Sequence, residues 1–321
     1  EQGHAVMLAT VAHTWGSSPR PVGALMAMRA DGQVAGSVSG GCVEQDLLER
    51  VRAGALDLHL PQVVRYGGER GEQRRFGLPC NGRLEIVVEA LHGAASLRRV
   101  LQALAKRQMI TRRLCLNTGE VSLHAASRDG VFVCDAHALS KVFGPAWQLL
   151  IVGAVQVSRF LAQMALALDY RVTVCDPREE YRSVWNVPGT MLDTRMPDDA
   201  VRAQAGDRRS VVVALSHDPR LDDMALMEAL AADTFYVGAL GSRRNNDTRR
   251  ARLATLGLTP VQIARLHGPV GLPIGSHTPA EIAVSILAEL TALRNSAHDV
   301  VAGAGVPEPE DVTTPAAAGQ C

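Results

Sequence analysis

The chain has no charge surplus: lysine plus arginine equals aspartate plus glutamate at 33 each among 321 residues. No global field therefore draws it to nucleic acid or to an anionic membrane surface. It lacks an uninterrupted apolar run of about 18 residues, so no membrane-spanning helix is expected. Its six cysteines (Cys42, Cys80, Cys115, Cys134, Cys175 and Cys321) form no C-x-x-C pair and match no Cys/His spacing of a zinc module. Neither a disulfide framework nor a structural zinc is expected. No internal repeat is visible, and no charged start leads into an apolar signal core. A cytoplasmic location is the expectation, although the sequence begins at Glu1 rather than at a methionine.

What the chain does have is one cysteine in an unusual setting. In the segment Gly36 to Asp46 (GSVSGGCVEQD), Gly40 and Gly41 precede Cys42, and the helical pattern of Val43 to Val51 follows at once. A cysteine at a helix start meets unpaired backbone N–H groups and the positive end of the helix dipole, both of which favour thiolate. The two glycines remove side chains from the approach to that sulfur and leave room for a ligand against bare backbone. The alternative is a tight turn followed by a buried cysteine. Cys115 and Cys175, inside the apolar runs LCL and VTVCD, are expected in the core.

The length suits about two domains, each able to bury its own core. Strands are expected at 5–12, 23–28 and 33–38, the last two joined at the turn pair Asp31-Gly32. A helix over 42–53, strands at 62–66 and 83–91, a helix near 96–107 and strands to about 134 complete a mixed α+β domain over residues 1–143. After Phe143-Gly144-Pro145, apolar strands (148–153, 171–176, 190–193, 210–216, 234–240) alternate with amphipathic helices (156–169, 198–204, 220–232, 244–256, 279–294). That alternation predicts a Rossmann-like doubly wound parallel sheet over 147–296, an α/β fold. Thr278 to Glu281 reads as a capping box with proline in the first helical turn. The Ala/Gly/Pro-rich stretch from 297 to 321 is expected to be a disordered tail.

Within the second domain, the strand QLLIVG, Gly153 to Ser158, a helix and a strand ending at Asp176 have the layout of a dinucleotide-binding βαβ unit. Asp176 stands where a carboxylate accepts from a ribose hydroxyl. Val155, however, occupies the second glycine position and Ser158 the third, which weighs against NAD(P). Ser216-His217-Asp218 and Gly241 to Asn245 follow strands and belong to the ligand edge of such a sheet. His217 there is either a ligand group or a helix-capping neighbour. Arg243 with Asn245, after a glycine, is better suited to a phosphate.

Six ordered blocks resemble the XdhC/CoxI family: Gly16 to Arg20 (GSSPR), Ser39 to Glu44 (SGGCVE), Gly77 to Cys80 (GLPC), Val174 to Arg178 (VCDPR), Gly238 to Ser242 (GALGS) and Gly275 to Ala283 (GSHTPAEIA). The chain departs from that pattern at Val155, at Asn81 after Cys80 and at Pro273. The resemblance implies a maturation chaperone rather than an enzyme. Such a factor binds the molybdenum cofactor, a pyranopterin with or without the cytosine dinucleotide extension. It supports sulfuration of that cargo and its insertion into a xanthine dehydrogenase or aldehyde oxidoreductase. The implied partners are the molybdenum hydroxylase apoenzyme, a cysteine desulfurase and a cofactor cytidylyltransferase, and a homodimer is compatible with them. On this view Cys42 either ligates the metal or carries sulfur, with Cys80 as a second thiol. Arg20 either binds a phosphate or braces its loop, and Glu44 either orients Cys42 or complements the helix dipole. Two other readings are an NAD(P)-dependent oxidoreductase and a sulfurtransferase acting through Cys42.

Overall fold

The computed structural model describes residues 5–302 except 17–19, 57–58, 68–82, 127–129, 131 and 205. Cys80 and the stretch 303–321 lie outside the described residues. The first region is built on two antiparallel sheets. In the five-stranded one, β1 (Val6–Trp15) is central, flanked by β2 (Leu25–Arg29) and β3 (Val34–Gly36) on one side and by β5 (Arg83–Ala90) and β4 (Gln62–Tyr66) on the other. Alternate residues of β1 face opposite ways. Met7, Ala9 and Val11 pack with Met26, Ile86, Val43 and Leu47 under α1 (Cys42–Arg52). Ala12, with Val87 of β5, packs against Leu114 and Leu139 of the second sheet. Burial on both faces explains why the first part of β1 is apolar at nearly every position, Thr10 alone excepted, and not alternating.

The second sheet has the order β7 (Val121–Ala126), β6 (Met109–Cys115), β9 (Ala138–Phe143), β8 (Val133–Cys134), preceded by α2 (Ala95–Ala105). A buried bidentate pair joins the two sheets, Arg112 donating to Glu89 at 2.6 and 2.8 Å. Two charges this deep require such mutual pairing.

Five residues after β9, β10 (Gln148–Val152) opens a six-stranded parallel sheet in the order β12, β11, β10, β13, β14, β15. Its strands are β11 (Arg171–Cys175), β12 (Met191–Asp193), β13 (Ser210–Ala214), β14 (Tyr236–Ala239) and β15 (Leu266–His267). Leu149 and Ile151 face a core closed by α3 (Gln156–Ala167) and α9 (Pro279–Ala302). Leu150 and Val152 face the opposite core, closed by α5 (Pro197–Gln204), α6 (Pro219–Ala231) and α7 (Arg243–Thr255). Short α4 (Glu179–Arg182) and α8 (Pro260–Ile263) complete the connections. Strand order reverses between β10 and β13, so the loops at their carboxyl ends flank the switch point where open α/β sheets take ligands.

The expected doubly wound sheet is present, and β15 adds a strand too short to show a sequence period. Glu289 of α9 secures that edge, accepting from Tyr236 Oη at 2.6 Å and the Gly271 N–H at 2.7 Å and pairing with His267 Nδ1 at 2.7 Å. The expected capping box is formed: Glu281 accepts from the Thr278 N–H at 2.8 Å, while its own N–H donates to Thr278 Oγ1 at 3.3 Å. The last helix runs to Ala302, past the expected end near Asn295, because no glycine or proline interrupts it before Gly303. Among the described residues, no helix is long and apolar enough to cross a membrane.

Candidate functional site

The Ser37 to Gly41 loop is folded around one carboxylate. Glu44, the third residue of α1, turns back so that Oε1 accepts from the N–H groups of Val38, Ser39 and Gly40 at 3.0, 2.7 and 2.6 Å and from Ser37 Oγ at 2.8 Å. Oε2 accepts from the Gly41 N–H at 2.8 Å and from Ser39 Oγ. Successive N–H groups pointing into one concavity form an anion nest, and here the chain supplies its own anion. Burial opposes the charge, but the bonds from Ser39, Gly40 and Gly41 outweigh it and hold the Glu44 carboxyl well below the usual range. Glu44 thus does more than complement the helix dipole: it sets the backbone of the whole loop. Arg20 braces the same arrangement, donating from Nε to Ser37 Oγ at 3.1 Å.

Gly40 has φ 92°, in the left-handed region that glycine tolerates. A Cβ built at Gly40 or at Gly41 meets no described atom within 4 Å. Among the described residues, nothing covers the outer side of the loop at the two residues preceding Cys42, which is the first residue of α1.

At the switch point, Gly153 directly follows β10 with φ 104°, and a Cβ there would lie 2.5 Å from Ser216 Cα. Only glycine permits this approach of the β10 and β13 tips. Asp176 is fully buried. One of its oxygens accepts from the Ala154 N–H at 2.8 Å and from the Arg178 guanidinium at 2.9 Å, the other from the Arg178 N–H at 3.1 Å and Nε at 2.9 Å. Burial pushes its pKa up, yet the bonds from Arg178 and Ala154 more than offset that and leave it lowered. A carboxylate has about four acceptor sites, and donors of Ala154 and Arg178 take all of them, so Asp176 ties the first βα loop to the second strand.

The loops after β13 and β14 share a buried scaffold that sequence reasoning missed. Asp222 accepts from the Ser216 N–H at 3.1 Å and Oγ at 2.6 Å, and from Arg249 at 3.2 Å. Arg249 also donates to the Leu240 carbonyl at 3.0 Å and to Asn246 Oδ1 at 2.7 Å, and Asn246 donates to the Gly241 and Ser242 carbonyls. Burial raises the pKa of Asp222 in spite of these partners. No local signal marks the pairing: Asp222 and Asp223 are adjacent, their partners Arg249 and Arg252 are three apart and some 27 residues on, and Arg252 donates to Asp223 at 2.8 Å. This frame presents His217, exposed and left-handed at φ 61°, and Arg243, exposed in the first turn of α7. His217 does not cap a helix: Asp218 does, accepting from the Arg220 N–H at 2.9 Å.

The structure therefore groups Arg20, Gly40, Gly41, Cys42 and Glu44 around the Ser37 to Gly41 loop and the start of α1, and Gly153, Asp176, His217 and Arg243 at the carboxyl edge of the parallel sheet. Among the described residues, no hydrogen bond or ion pair joins the Ser37 to Glu44 loop to that edge, and no group of three or more His, Cys, Asp or Glu side chains is placed to hold a metal ion. Cys175 is in the core as expected, its thiol pushed up to about 12 chiefly by burial. Cys115 is not: alternation along β6 turns Leu114 inward and Cys115 outward, where hydrogen bonds from Thr118 lower its pKa.

Comparison with known proteins agrees with this architecture. Residues 149–290 match the XdhC Rossmann domain, and residues 1–67 match the XdhC and CoxI family. The molybdenum cofactor insertion chaperone PaoD of Escherichia coli (strain K12) is 29% identical over 91% of this chain and 84% of its own length. A probable xanthine dehydrogenase subunit of Bacillus subtilis (strain 168) is 24% identical over 92% of this chain and 94% of its own. A crystal structure from Bacillus halodurans, named a xanthine dehydrogenase, superposes with a TM-score of 0.71 at 25% identity, covering 92% of this chain and 93% of that one. With both of its regions matched in order and a solved relative sharing nearly its whole length, the chain belongs to the XdhC/CoxI family.

Proposed function

We propose that this protein is a molybdenum cofactor-binding chaperone that supports sulfuration of its cargo and its insertion into a xanthine dehydrogenase or aldehyde oxidoreductase-type apoenzyme. The observation that carries this reading is the braced backbone at Gly40 and Gly41, uncovered among the described residues, immediately before Cys42. It fits the insertion function named for PaoD, which aligns over most of the chain. A cargo with a soft metal centre calls for a thiolate, and a braced loop lowers the entropic cost of holding it. Because Glu44 fills the loop's own nest, the cargo's phosphate, or the pyrophosphate of a cytosine dinucleotide form, is assigned to the exposed Arg243 guanidinium and the His217 imidazole at the same sheet edge. A cysteine desulfurase supplies sulfur and a cytidylyltransferase supplies the dinucleotide form in this scheme, and a homodimer would bring more than one carrying loop to the client.

The NAD(P)-dependent alternative is disfavoured by two features of the switch point: Val155 stands where backbone must approach a pyrophosphate, and Asp176 has no acceptor site left for a ribose. Anaerobic titration with molybdenum cofactor tests the proposal. Cys42→Ala is expected to weaken binding or abolish sulfur loading, and Cys80→Ala to have the smaller effect. Equal retention by wild type and both variants, together with tight NADPH binding, would overturn it.

A further inference from the structure

At the opposite end of the parallel sheet from Gly153, Asp176, His217 and Arg243, a cleft of about 540 Å³ lies between the antiparallel region and the loops that enter β10, β13 and β14. Its size falls within the range of roughly 300 to 1,000 Å³ common for small-molecule pockets. One wall is apolar, formed by Met109 and Ile110 of β6 and Leu123 of β7. The rim is cationic: Arg99, Arg107, Arg208 and Arg209 face only two acids, Asp207 and Asp233.

These cations divide into frame and rim. Arg107 forms a two-pronged pair with Asp207, at 2.5 and 2.9 Å, across 100 residues of sequence. It does so from a left-handed backbone, φ 56°, a conformation that costs a non-glycine residue about 1 kcal/mol or more. That pair fixes the antiparallel region to the sheet and holds the cleft open. Arg209 lies against Gly144, where a Cβ would come 2.4 Å from its guanidinium carbon, and donates to the Pro145 carbonyl at 2.9 Å. At the rim, Arg208 reaches Asp233 only at 3.8 Å, and Arg99 has no hydrogen-bond or ion-pair partner among the described residues.

We infer that this cleft is a second binding site, taking a small organic anion that carries an apolar ring, with the ring against Met109, Ile110 and Leu123 and the anionic group between Arg99 and Arg208. A compact cleft on a chain without net charge suits a small ligand better than a polyanion, which needs an extended basic stripe. The site is separate from the Cys42 loop and does not depend on the cargo assignment.

The test uses the full chain with three probes: phenyl phosphate, inorganic phosphate and phenol. Calorimetry and saturation-transfer NMR are expected to show phenyl phosphate binding at least about 10-fold more tightly than either part alone, since ring and charge are bound together. The double change Arg99→Glu with Arg208→Glu is expected to weaken phenyl phosphate by about 10-fold or more, and Leu123→Asp to do likewise, with far-UV circular dichroism confirming folding. Cys42→Ala and Arg243→Ala should leave it unchanged. No saturation of phenyl phosphate in the millimolar range, affinity unaltered by the paired arginine change, or loss of binding in Arg243→Ala would each overturn the inference.

Discussion

Two glycine-bearing strand-to-helix turns of this molecule solve one problem by different means. In the Ser37 to Gly41 loop, Glu44, a few residues on, collects four backbone N–H groups and two serine hydroxyls. In the Gly153 loop, Asp176, at the end of the neighbouring strand, takes the Ala154 N–H and is itself gripped by Arg178. Both turns resemble anion sites in sequence, and in both an internal carboxylate already occupies the donors. The first closure is local and partly exposed; the second is long-range and fully buried. The contrast teaches that the first shapes a loop, whereas the second helps to assemble a sheet.

The largest expected effect breaks the second closure. Asp176→Ala leaves Arg178 without its acid and the Ala154 N–H without an acceptor, and should cost about 3 kcal/mol of global stability, read from the urea midpoint. Next comes Glu44→Gln, which removes the charge and sets an amide against several donors. A loss of about 2 kcal/mol, confined to the loop, should raise amide exchange at residues 38–41 by roughly 30-fold with little change in the urea midpoint. If the two variants shift the midpoint equally, the distinction between local and global closure fails.

Acid sharpens the same comparison. Both carboxyls are lowered in the folded state, so each contributes stability that is present above its unfolded pKa and lost as pH falls toward its folded one. Glu44 starts from an ordinary value of 4.5 and Asp176 from 3.8. Loop protection at residues 38–41 should therefore begin to decline below about pH 4.5, before any decline attributable to Asp176, when amide protection is followed against pH. The smallest effect belongs to Val155→Gly. Val155 is the N-cap of α3 with no side-chain cap bond, so stability should change by less than about 1 kcal/mol. NADPH affinity should also stay below calorimetric detection, because Asp176 remains occupied; strong binding by this variant would show that Val155 alone bars the nucleotide.

The parallel sheet was legible because burial on both faces makes its strands continuous apolar runs, such as Leu149 to Val152 and Val211 to Ala214. The Thr278 box was legible because its partners are three residues apart. Legibility failed where the partner is distant or the element short. Nothing near Asp222 announces Arg249, β15 has two residues, and the place of Asp176 in a familiar layout concealed that Arg178 would take its oxygens. Glu44 is an intermediate case: its position in the first turn was visible, but the loop folding back over it was not.

The central position of β1 has a practical consequence. The homology segment ending at residue 67 excludes β5, the strand that lies along nearly the whole length of β1. A fragment cut at that limit would expose an unsheltered strand edge, and so would invite aggregation; a stable version of this region has to run at least through Ala90.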